Sequence, residues 1–67
     1  MHTVTHYISK ADLNNVMDDL FATKQIMRFV GCDYFGNICC DSMADALFIG
    51  KWLKEHGYKC TVHINYD

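Results

Sequence analysis

The chain has 67 residues, 51% of them hydrophobic and 21% charged, and no proline. Six Lys and Arg stand against eight Asp and Glu, a net charge of −2, so the basic surplus expected of a nucleic-acid binder is missing. No apolar run approaches the ~20 residues needed to span a bilayer, so neither nucleic acid nor a membrane is an expected partner.

Residues 1–67 read as a single small α+β domain. A chain of this size buries only about 60% of its unfolded surface and gains stability from association. The N-terminus, MHTVTHYISK, lacks the basic start and apolar run of a secretion signal, which points to the cytoplasm. In a reducing compartment the four cysteines are expected to be free thiols rather than a disulfide framework.

His2–Ile8 alternates, with Val4, His6 and Ile8 on one side and Thr3, Thr5 and Tyr7 on the other; this predicts β1. Ser9 is a helix cap with Asp12 three residues on. Leu13, Val16, Met17, Leu20 and Phe21 then form the apolar stripe of α1. Asp12, Asn15, Asp18 and Asp19 point to solvent, and the helix should end near Lys24. Gln25–Phe35 is rich in β-formers and predicts β2, with Gly31 a candidate bulge and Met27, Phe29 and Phe35 facing the core. Gly36-Asn37 reads as a two-residue hairpin turn into a short β3 at Ile38–Cys40.

The stretch Asp41–Tyr58 is the best-punctuated helix, α2. Asp41 and Ser42 are alternative N-caps, Asp45 completes a capping-box variant, and Gly57 is the expected C-terminal stop. Met43, Ala46, Ile49, Gly50 and Leu53 share the core face, with Leu47 at its edge. Gly50 is expected to admit a close neighbour, because a mid-helix Gly otherwise costs roughly 1 kcal/mol. Lys59–Tyr66 alternates Cys60, Val62 and Ile64 against Thr61, His63 and Asn65, predicting β4. The order β-α-β-β-α-β is the ferredoxin-like arrangement, an antiparallel sheet with two helices packed on one face. A three-stranded sheet with an irregular 36–40 segment is the alternative.

Two surfaces are candidates for binding. Phe48 and Trp52 lie four residues apart on the flank of α2 away from the core, beside Lys51 and Glu55. A covering loop is one reading. An anchor for a protein partner is the other, because Trp is enriched in interface hot spots. The second surface is the open sheet face, carrying Thr3, Thr5, Tyr7, Arg28, Thr61, His63 and Asn65, with Tyr34 nearby. Antiparallel sheets tolerate water on one side, so this face is either solvated or a platform for a small ligand or nucleotide.

Catalytic and metal chemistry are not expected. No cysteine pair has CxxC spacing, and Cys60 and His63 point to opposite faces of a strand. Cys40 is the best-placed nucleophile, near the N-terminus of α2, but Asp41 beside it opposes a thiolate. The aromatic and basic strand pattern of the RNA-recognition motif is absent, as is a glycine-rich phosphate loop. No cofactor is implied. The leading expectation is a non-enzymatic module that inhibits or bridges a larger protein, the size class of small phage anti-defence proteins such as anti-CRISPRs. A ligand binder using Tyr7, Arg28 and His63, and a homodimeric structural subunit, are the alternatives.

Overall fold

The structure, a computed structural model, describes residues 1–23, 30–33 and 35–66. The expectations for Lys24, Met27, Arg28, Phe29 and Tyr34 lie outside the described residues. The elements are β1 (His2–His6), α1 (Lys10–Ala22), β2 (Val30–Cys32), β3 (Ile38–Cys40), α2 (Met43–Glu55) and β4 (Cys60–His63). The strands form one four-stranded antiparallel sheet in the order β2-β3-β1-β4. The three-stranded alternative fails, because β3 pairs with β1 through Val4↔Ile38 and with β2 through Cys32↔Ile38.

Local chemistry explains the helix ends. The Ser9 hydroxyl accepts from the Asp12 N–H at 3.2 Å. The Ser42 hydroxyl accepts from the Asp45 N–H at 3.4 Å, so Ser42 rather than Asp41 is the cap of α2. At the far end Gly57 takes φ +86°, a left-handed conformation that costs glycine nothing. The Gly57 N–H then reaches Lys54 O at 3.1 Å and the Tyr58 N–H reaches Leu53 O at 2.9 Å. These two reversed bonds satisfy carbonyls that the last turn leaves unpaired.

The hairpin differs from its expectation. Register places Cys32 opposite Ile38, and the Asp33 N–H donates to Asn37 O at 3.0 Å. The turn therefore lies between Asp33 and Asn37 rather than at Gly36-Asn37. The Asp33 carboxylate accepts from the N–H groups of Phe35 and Asn37, each at 2.9 Å, and Gly36 takes φ +83°. A side-chain acceptor here replaces the tight two-residue geometry. Phe35 falls in this turn instead of a strand and is 83% exposed, not in the core. Gly31 pairs in register with Cys39, so no bulge forms there.

Alternation sorts the sheet into two faces. Val4, Ile38 and Cys40 are inaccessible and join Leu13, Val16 and Leu20 of α1 and Ala46, Ile49 and Leu53 of α2 in one cluster. Burying each Leu or Ile contributes roughly 1.5–3 kcal/mol. Phe21 and Met43, assigned to the apolar stripes by periodicity, do not stay covered, and Leu47, placed at the edge of its stripe, is open as well. Phe21 is 45%, Met43 45% and Leu47 51% exposed. Leu47 flanks β4, the last strand on its side, so the helix overhangs the edge of the sheet and nothing lies beneath that stripe among the described residues.

Gly50 meets its expectation. A Cβ built there would run into Val62 Cγ2, and Cys60 Sγ lies 3.4 Å from Gly50 O. The absent side chain is what lets α2 lie directly on β4. Gly50→Ala should lower the unfolding free energy by about 1–3 kcal/mol despite alanine's better helix propensity. In a Val62→Ala background the cost should shrink, and equal costs in both backgrounds by urea denaturation would refute the contact.

Candidate functional site

The solvent side of α2 gathers the residues nominated for partner binding. Phe48, Lys51, Trp52 and Glu55 line one shallow cleft of about 140 Å³. Phe48 and Trp52 are half-buried and pack on the edge of the core cluster, so they are neither bare nor fully covered. The Trp52 ring stacks on His56, centroids 3.8 Å apart and planes 20° from parallel. His56 Nδ1 lies 2.7 Å from Trp52 O; a carbonyl only accepts, so Nδ1 carries the hydrogen. Four-residue helical spacing thus gives Trp52 an internal partner on one face. Lys51 Nζ and Glu55 Oε1 approach at 3.9 Å in an exposed pair that adds little to stability.

The residues nominated on the open sheet face are only partly brought together. Thr3 stands opposite His63, and Thr5 opposite Thr61. Thr5 Oγ1 donates to Thr61 O at 3.3 Å and lies 3.4 Å from His63 Nε2. These polar groups therefore serve one another. Tyr7 follows the end of β1 and is 89% exposed. It lines a separate cleft of about 680 Å³ with Ile8, Asp12, Tyr58 and Lys59, four positions along the chain from the residue opposite His63.

The histidines of β1 act as backbone clamps, which periodicity does not reveal. His6 Nδ1 accepts from the Ile8 N–H at 3.0 Å, which leaves Nε2 to donate to Gly36 O at 2.9 Å. One ring fixes the exit from β1 and the hairpin turn together. His2 Nδ1 accepts from the Asn65 N–H at 3.0 Å and ties down the chain after β4.

The four cysteines are free thiols in different settings: Cys32 exposed, Cys39 and Cys40 buried, Cys60 half-buried. Burial chiefly pushes the Cys40 thiol up from 9.0 to about 11, with the negative charges of Asp45, Cys39 and Asp41 adding to it. The expected thiolate stabilisation near the helix N-terminus is overridden. Burial also raises Cys39, seconded by Asp33. Among the described residues no three of His, Cys, Asp and Glu gather into a group able to hold a metal ion. No helix among them is long and apolar enough to cross a membrane. Comparison of the chain with protein-family models, curated proteins and solved structures returned no match.

The Cys40 setting has a pH consequence. The folded state holds this proton more tightly than the unfolded chain, so its contribution is complete below pH 9 and is lost as pH rises towards 11. A displacement of that size is worth roughly 2–3 kcal/mol. Cys40→Ala should flatten the alkaline limb of the stability profile measured by urea unfolding. Under native conditions a thiol reagent should modify Cys32 at once and Cys40 only on unfolding; equal rates would contradict the burial.

Proposed function

We propose that the chain is a non-enzymatic binding module that occludes or bridges a larger protein partner through the solvent flank of α2. The observation that carries this reading is the cleft formed by Phe48, Lys51, Trp52 and Glu55. It combines two half-buried aromatics with a cation and an anion on a helix held rigid by its packing. Large amphipathic rings fixed in place by their surroundings lose little entropy on binding, which is why Trp and Tyr dominate hot spots. The small size and the burial of Cys40, the best-placed nucleophile by sequence, favour the inhibitor or adaptor class, of which small phage anti-defence proteins are one kind.

The scaffold of this reading is the ferredoxin-like arrangement. The element order β-α-β-β-α-β, the central position of β1 and β3, and the shared core of both helices support it, with α1 and α2 on one face of the sheet. Four free thiols fit a reducing, cytoplasmic setting.

The test is capture from lysate of the native host using tagged protein. Wild type should retain one large protein, and Phe48→Ala with Trp52→Ala should lose it while keeping its helical circular dichroism. Retention by the double variant would remove α2's aromatic flank from the interface. Each truncation should weaken binding by about 1–2 kcal/mol or more, read as a 5–30-fold rise in Kd by calorimetry against the recovered partner.

A further inference from the structure

We propose that the β4 edge, with the Met43–Leu47 stripe of α2 beside it, is a self-association surface that receives a second copy of this chain by antiparallel β4–β4 pairing. The surface lies on the other flank of α2 from Phe48 and Trp52, so it goes beyond the partner-binding reading.

Three observations converge on it. First, β4 ends the sheet and among the described residues pairs only with β1. An edge strand offers a row of backbone donors and acceptors, which proteins usually guard with Lys, Pro or a bulge. The strand here reads Cys60-Thr61-Val62-His63, with neither Lys nor Pro and with unbroken register against β1. β2, the other edge among the described residues, spans Val30–Cys32 there, with Gly31 at its centre. Second, the space between β4 and α2 is an open groove of about 680 Å³, with Leu47, Gly50 and Lys54 on one side and Cys60 and Val62 on the other. Leu47 is 51% exposed, and Met43, one turn before it, is 45% exposed. Leu47 lines the groove, and Met43 stands just beyond it on the same side of the helix.

Third, the charge of this flank is self-complementary. Exposed Asp41 precedes α2, while exposed Lys54 follows in its second half beside Lys51, which is paired with Glu55 of its own helix. A two-fold axis across β4 makes the two α2 helices antiparallel. Lys54 of one copy then lies along the N-terminal half of the other, the half that carries Leu47 and follows Asp41. The Lys54 stem covers Leu47, its charge is drawn to the Asp41 end, and the helix dipoles run in opposite directions. A foreign strand could use the same edge, but a second copy presents this pattern in reverse.

Sedimentation velocity over a concentration range tests it with three proteins. Wild type should move from monomer to dimer as concentration rises. Leu47→Lys with Thr61→Lys should remain monomeric, since it sets like charges against each other at the edge. Phe48→Ala with Trp52→Ala should dimerise like wild type. Amide hydrogen exchange of wild type gives a variant-free reading: protection of Cys60–His63 should grow with concentration. A wild type that stays monomeric throughout, or whose β4 protection ignores concentration, overturns the proposal. So does a dimer lost in the aromatic variant and kept in the lysine variant. Partner capture lost only in the aromatic variant would leave the partner reading intact whichever way the dimer falls.

Discussion

The absence of a side chain at Gly50 is the constraint on which the rest of the structure depends. Val62 occupies the space a Cβ would need, so α2 rests on β4 almost backbone to side chain. That approach sets the height of the helix over the sheet. Ala46, Ile49 and Leu53 then join Val4 and Ile38 in one buried cluster. In a chain this short few contacts can be spared, because the surface buried per residue is small. A residue that weakens the isolated helix is thus what makes the packed one possible.

The same seating divides α2 into three strips with different fates. The strip facing the sheet is fully buried. The strip over β4 projects past the last strand, and Met43 and Leu47 stay half in water although their spacing is that of core residues. The remaining strip carries Phe48 and Trp52, which lean on the margin of the core and keep one side open. Two flanks of one helix are therefore available for two kinds of contact, one aromatic and one built on a strand edge. Lys51 and Glu55 lie between them and border both clefts.

Polar side chains in this fold are spent mainly on holding backbone. Asp33 closes the β2–β3 turn, His6 joins that turn to the end of β1, and His2 holds Asn65. Thr5 and His63 engage across the β1–β4 pair. Residue types that suggest chemistry when read in a row prove to satisfy donors and acceptors at strand ends, where ladders run out. Cys40 follows the same logic: its place before a helix N-terminus matters less than the low-dielectric core around it.

The sequence by itself determined the two helices and the alternating strands β1 and β4, because their signals are local. Ser9 and Ser42 mark helix starts and Gly57 a helix stop through bonds to residues within five positions. Alternation in His2–His6 and Cys60–His63 fixed which side chains face inward, since a strand's period is two whatever it pairs with. Even Gly50's role was legible, as a helix tolerates such a residue only for a close neighbour. Tertiary structure alone decided where the sheet ends, and hence that Met43 and Leu47 overhang it. The turn that takes Phe35 is local, held by Asp33 across two to four positions, and was hidden by the β-formers around it. Tertiary structure alone decided that His6 and His2 clamp distant backbone. Those outcomes depend on pairs brought together across up to 63 positions. No local period encodes such a pair; it exists only once the strands have chosen their neighbours.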